Sequence, residues 1–155
     1  MRLTIRTNLA MRVLMACAVN TDYMVRRAGI AQAAGASENH LAQVVHLLAA
    51  EGYLATTRGR AGGLALARPA SEISIGEVFR HFEAAVPFAE CFEGSENHCP
   101  LTGCCRLRGA LGEALEAFYG VLDRMTLADL VADNAGLEAL LYLPDPTPTP
   151  VCTAR

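Results

Sequence analysis

The run Arg58-Gly-Arg-Ala-Gly-Gly63 constrains the fold of this chain more than any other feature. It stands between Tyr53-Leu-Ala-Thr-Thr57 and Leu64-Ala-Leu-Ala67, two runs of strand length, and its three glycines allow a tight reversal, so the segment reads as a β-hairpin. Just upstream, Ser37 is placed to cap a helix in which Leu41, Val44, Val45 and Leu48 recur at helical spacing. Gly52 ends that helix. A shorter helix, Val25 to Ala34, precedes it with Ile30 and Ala34 inward and stops at Gly35. Two short helices joined by a turn, the second polar on its outer face, form a helix-turn-helix, and the hairpin beside it is a wing. The candidate DNA-binding residues are therefore Arg26 and Arg27, then Ser37, Glu38, Asn39, His40 and Gln43, then Thr57, Arg58 and Arg60 on the wing. The competing reading, a glycine-rich loop for a nucleotide phosphate, lacks both a lysine and a following helix N-terminus.

Charge supports a polyanionic partner. The first 70 residues carry a balance of +5 and the remainder −8, within a net charge of −3. One basic face on an acidic protein suits a nucleic acid. Every basic residue except histidine is arginine. Arginine serves bidentate phosphate and guanine contacts, although a GC-rich genome produces the same bias. The apolar residues after Met1 are interrupted by Arg6 and Arg12, so they form no secretory signal, and no stretch approaches membrane-spanning length. A cytoplasmic protein without membrane contact is expected.

A first helix is expected over residues 6–18, with Leu9, Val13, Leu14 and Cys17 on one stripe, and a fourth begins near Ile73, with Val78, Phe79 and Phe82 packing back. From Arg106 a long helix places Leu111, Leu115, Phe118, Leu122 and Met125 in 4-3-4-3 steps, flanked by Ala110, Ala114 and Ala117. That seam predicts a homodimer, the alternative being that the stripe packs on the chain's own N-terminal domain. A further short helix follows from Leu127 to Asp133. The fold class is mainly α: a winged helix-turn-helix domain (1–85), a cysteine-bearing loop (86–105), a dimerisation helix with short C-terminal helices (106–143) and an extended, mobile tail (144–155).

The loop holds Cys91, Cys99, Cys104 and Cys105 within fifteen residues. Thiolates are soft ligands suited to zinc or iron–sulfur chemistry. The paired C-x2-C knuckles usual for zinc are missing, and adjacent Cys104 and Cys105 point in different directions. Cys91, Cys99 and Cys105 in a C-x7-C-x5-C spacing leave one coordination site to be filled from elsewhere. On spacing alone, an iron–sulfur cluster, zinc and reactive or idle thiols all remain. A thiol-redox enzyme using Cys104 and Cys105 is a reading of another class, and it lacks a catalytic base: His40, His46, His81 and His98 are scattered. Cys152 sits in the tail.

Several pieces of the chain resemble one family. They are Met1-Arg-Leu-Thr, Ser37-Glu-Asn-His-Leu41, the wing run Arg58 to Pro69, Ala89-Glu-Cys-Phe, Cys99-Pro-Leu, Cys105-Arg-Leu and Thr126-Leu-Ala-Asp-Leu130. Over roughly residues 1–142 the chain is similar to the Rrf-two family of bacterial winged-helix iron–sulfur regulators, which has nitric-oxide-sensing (NsrR-like), iron-responsive (RirA-like) and cluster-biogenesis (IscR-like) branches. The resemblance implies an iron–sulfur cluster, 4Fe–4S ahead of 2Fe–2S, on Cys91, Cys99 and Cys105, with Cys104 outside the set. It implies a dimer through the long helix and a palindromic double-stranded operator. It favours a repressor that senses nitric oxide over a regulator of iron status. Some nitric-oxide sensors of this type draw a fourth ligand from an acidic residue near the first helix of the partner subunit. Asn8 stands at that position here, so the fourth site falls to water, a small thiol, or a residue such as His98 or Glu93.

Overall fold

The computed structural model describes residues 3–59, 62–83, 87–92 and 97–143. Arg60, Glu93 and the tail with Cys152 lie outside the described residues.

A central helix, α1 (Ile5–Val19), organises the molecule. Thr4 caps it, accepting the Thr7 N–H at 3.2 Å. The helix is apolar on most sides, and Leu9, Ala10, Val13, Leu14, Ala16 and Cys17 are buried, because other helices surround it. Burial pushes the Cys17 thiol up to about 12, which removes it from thiolate chemistry at neutral pH. The Glu83 carboxylate, at the far end of the fourth helix, accepts from Thr4 N–H at 2.9 Å and from the Thr7 hydroxyl, so an acid sits at the positive end of α1.

Helix α2 (Arg27–Ala34) ends where Gly35 turns left-handed at φ +59, and α3 (Glu38–Ala50) begins after the Ser37 cap. The Arg12 guanidinium donates to the Ala34 carbonyl at 2.6 Å, placing a cation at the negative end of α2. The second helix starts two residues later than its apolar pattern suggests. Val25 is held instead in a bridge with Leu64, with N–H to carbonyl distances of 2.8 and 2.9 Å. Strands β1 (Leu54–Thr57) and β2 (Gly63–Leu66) pair antiparallel, with Leu54 opposite Leu66 and Thr57 opposite Gly63.

After a 3-10 turn at Ala70–Glu72 comes α4 (Ile75–Glu83), which starts at Ile75 because the two residues before it are paired elsewhere. Ile73 accepts the Leu127 N–H at 2.9 Å, Ser74 bridges Thr126, and the Ile75 N–H reaches the Met125 carbonyl at 2.9 Å. The start of α4 is thus stitched to the junction between α5 (Arg106–Leu122) and α6 (Leu127–Val131). A capping box of Thr126 and Asp129 opens α6, and it stops at Val131 because Ala132 is extended and Asp133 is left-handed at φ +51. Asn134 then caps α7 (Ala135–Leu141). The core joins Leu14, Ile30, Leu41, Leu48, Tyr53, Ile73, Val78 and Leu127.

The residues of the expected seam stand at different depths in the single chain. Phe118, Leu122 and Met125 pack on the chain's own core, Phe118 against the Phe79 ring at 6.3 Å, and Met125 lies beyond the end of α5. Leu111 and Leu115 are half-buried. The face that α5 turns outward is a neighbouring stripe: Leu107, Ala110, Ala114, Ala117 and Val121, all exposed in the single chain. Among the described residues α5 has no buried side chain along its 17 residues.

Candidate nucleic-acid interface and metal centre

Capping and burial orient α3. Leu41, Val44, Val45 and Leu48 face the core, which leaves Glu38, Asn39, His40, Gln43 and His46 exposed together on the opposite side. Ser37 is exposed too, but its hydroxyl oxygen accepts the His40 N–H at 3.3 Å, so its structural role is to start the helix. Arg26 and Arg27 open α2, and the Arg27 guanidinium lies 3.8 Å from Glu38. Both partners are about half exposed, a geometry that orients the arginine more than it stabilises the fold.

The wing needs its glycines for different reasons. Gly59 has φ +106, which a side chain rarely tolerates. A Cβ on Gly62 would stand 2.2 Å from the Thr57 carbonyl oxygen, and one on Gly63 would stand 2.8 Å from the Val25 carbonyl oxygen. The close approach at Gly63 brings the wing against the start of α2. Arg26, Arg27, Glu38, His46, Thr57 and Arg58 consequently line one open groove of about 530 Å³ between α3 and the wing. At the base of the wing, the Tyr53 hydroxyl bonds His81 Nδ1 at 2.8 Å, and Arg68 lies over the Tyr53 ring while pairing with Glu77 at 3.1 Å. Burial, the largest cause, and Glu77 push the Tyr53 hydroxyl up, so it stays protonated as a donor.

The described residues of the cysteine loop make several polar contacts. Asn97 Oδ1 accepts the Cys99 N–H at 3.0 Å, and the Cys99 carbonyl accepts from the Thr102 hydroxyl at 2.8 Å. Arg108 Nε donates to the Cys91 carbonyl at 2.9 Å, tying that residue to α5, and Cys105 is the N-cap of the same helix. Cys91, Cys99 and Cys105 are half-buried free thiols, whereas Cys104 is exposed. Phe92, Cys104, Cys105, Arg106, Arg108 and Gly112 border an open groove of about 710 Å³. Three thiols are donors of the type a thiolate-bound cluster uses, and of these Cys105, at the positive end of a helix, borders the groove. Among the described residues, no three His, Cys, Asp or Glu side chains converge as ligands. Asn8 is exposed on α1, and the His98 N–H is held by Glu90 at 2.8 Å.

Sequence reasoning missed the joint between α4 and α5. Arg80 makes a bidentate pair with Asp123, at 2.5 and 2.7 Å, and lies over the Tyr119 ring. The Arg80 hydrogen bond holds the Asp123 carboxyl below the usual carboxylate range. Gly76 makes the approach possible, since a Cβ there would stand 2.0 Å from Asp123 Oδ1. The signal available in the sequence was the glycine, one turn before Arg80.

Residues 3–133 match Rrf2, described as an iron-dependent transcriptional regulator. The chain belongs to the Rrf2 family. It is 47% identical over 142 residues to the HTH-type transcriptional regulator NsrR of Geobacillus kaustophilus, covering 91% of this chain and 97% of that protein. It is 42% identical over 147 residues to the HTH-type transcriptional repressor NsrR of Streptomyces coelicolor, covering 94% and 97%. In fold it is similar to IscR of T. potens, with a TM-score of 0.69, 24% identity and coverage of 86% and 88%. This Rrf2 protein is accordingly a DNA-binding transcriptional regulator with a winged-helix fold, and the thiol-redox enzyme reading gives way to it. Among the described residues no helix is long and apolar enough to cross a membrane.

Proposed function

We propose that this Rrf2 protein is a cytoplasmic, homodimeric repressor of a palindromic operator, whose affinity falls when nitric oxide reaches an iron–sulfur cluster held by Cys91, Cys99 and Cys105. The observation that carries this reading is the double attachment of α5. At its start the helix takes Cys105 as its cap and holds the Cys91 carbonyl through Arg108. At its end it is fixed to α4 by the Arg80–Asp123 pair and the backbone bonds of Ile73 and Ile75. A constraint on the cysteine loop is thereby passed to the domain that carries α3.

On DNA, Asn39, His40 and Gln43 would reach base edges, with Glu38 beside them, while Arg26, Arg27, Thr57, Arg58 and Arg60 would hold phosphates and the minor groove. A palindrome read by a two-fold dimer needs its two recognition helices about 34 Å apart. The outward face of α5 supplies the two-fold contact in this reading. When bound, a cluster, 4Fe–4S ahead of 2Fe–2S, supplies iron open at one position to a small molecule. Asn8, Glu93 and His98 are the chain's candidates for a fourth ligand, and Asn8 is a weak one.

Iron status is the second reading, favoured by the family's description as iron-dependent. Anaerobic purification tests the cofactor: brown protein with about three to four irons and matching sulfide per chain is expected. Colourless protein that binds zinc instead would overturn it. Titration with nitric oxide and, separately, with an iron chelator while following DNA binding decides the signal. Release by nitric oxide at constant iron supports the first reading, and release by the chelator alone supports the second.

A further inference from the structure

Asn20 and Thr7 are the buried polar residues among those described, and Asn20 stands where three elements meet. It is 3% exposed, at the end of α1. Its amide nitrogen donates to the Ala16 carbonyl at 2.7 Å and to the Leu141 carbonyl at 2.8 Å. Its oxygen accepts the Leu143 N–H at 2.9 Å and lies 2.7 Å from the Tyr23 hydroxyl. Both donors of the side chain are used, and its oxygen accepts from Leu143 and stands within reach of the single Tyr23 hydroxyl proton. Tyr23 also reaches the Leu143 carbonyl. The segment after α7 is therefore held by a directional amide rather than by apolar contact alone.

What this segment touches gives the clamp a meaning. A Cβ on Gly29 would lie 3.5 Å from the Leu143 side chain, so Leu143 rests directly on α2, the first helix of the helix-turn-helix. Helix α2 is thus gripped between α3 on one side and the segment after α7 on the other. The same segment leads back through α7 and α6 to α5. Releasing the segment would leave the buried Asn20 amide without two of its partners, a state costly enough that engaged and released are discrete alternatives rather than a continuum.

We propose that Leu141–Leu143 is a latch, anchored on Asn20, that holds α2 in its DNA-binding position and links it to α5. The proposal rests on the DNA-binding reading and adds a positioning role that no contact with DNA or cluster would reveal. The test uses the full chain, purified anaerobically, and a duplex recovered by the wild-type protein from a random pool. Leu143→Gly removes the side chain on α2 while keeping the backbone bonds to Asn20, Asn20→Ala removes the anchor, and Tyr142→Ala is the control, because Tyr142 is exposed.

Leu143→Gly and Asn20→Ala are expected to raise Kd about tenfold or more and to speed amide exchange across residues 27–35. Exchange in α4, dimer mass and visible absorption should stay at wild-type values, as should every property of Tyr142→Ala. A wild-type Kd in Leu143→Gly would overturn the latch. So would an affinity loss matched by faster exchange in α1 and α4 alike, since that is general destabilisation. Failure of the wild-type protein to recover any duplex would overturn the DNA-binding reading itself.

Discussion

The outward stripe of α5 can be tested with Ala114→Glu combined with Val121→Glu. In the single chain Ala114 is exposed and Val121 is 51% exposed, so neither change disturbs the fold by more than about 0.5 kcal/mol. In a two-fold dimer each substitution is met twice. Losing a buried apolar contact costs about 1 kcal/mol at each of the four positions, and unpaired carboxylates facing their own copies add to it. The dimer should weaken by at least ~4 kcal/mol, close to a thousandfold in its dissociation constant. Sedimentation velocity with circular dichroism provides the assay, and a folded monomer with wild-type helicity is the expected result. A variant that stays dimeric refutes the stripe, and one that unfolds shows that this face belongs to the chain's own core. Phe118→Glu supplies the contrast: it sets a carboxylate in the half-buried contact with Phe79 and should destabilise the monomer itself.

Replacing Cys91, Cys99 or Cys105 with Ala should abolish or destabilise the cluster by visible absorption, whereas Cys17, Cys104 or Cys152 to Ala should leave it intact; a full cluster in Cys99→Ala defeats the assignment. Arg58→Ala and Arg60→Ala should each weaken binding to all duplexes and lower the salt slope by about one unit. Asn39→Ala or Gln43→Ala should instead relax preference at one or two bases, costing roughly 1–3 kcal/mol on the cognate site. Asp123 and Asp129 are held below the usual carboxylate range, the first by the Arg80 pair and the second by the Thr126 N–H and then its hydroxyl. Their stabilising contribution is present above the ordinary carboxylate pKa of about 4 and is lost as pH falls through their lowered values. Protection at the start of α6 and at the α4–α5 joint, measured relative to intrinsic exchange at each pH, should therefore fall on acidification while the α1 core stays protected.

The winged helix was legible because local chemistry and tertiary demand coincide there. Gly35, Gly59, Gly62 and Gly63 all stand where the backbone needs them, and the apolar face of α3 is the buried face. The reading failed where two local solutions competed. On α5, the stripe Leu111, Leu115, Phe118, Leu122 and the stripe Leu107, Ala110, Ala114, Ala117, Val121 both keep heptad-like spacing, lying about 90° apart at 100° per residue. Size points to the first as an interface between subunits, while Phe118 and Leu122 of that stripe also pack on the chain's own core, so the sequence alone does not choose between the two faces. Val25 was read into a helix because only the partner strand, distant in sequence, reveals its bridge to Leu64. The cysteines gave the donor chemistry, but spacing carries no information on how an irregular loop brings its thiols together.

The thiols are sorted by depth. Cys17 is buried in the domain that reads DNA, with its proton held by an apolar surrounding, while the four loop cysteines are half-buried or exposed. An oxidant or electrophile that consumes the loop therefore finds no ionised sulfur within α1. Chemical injury and structural integrity are kept in separate compartments of one small molecule.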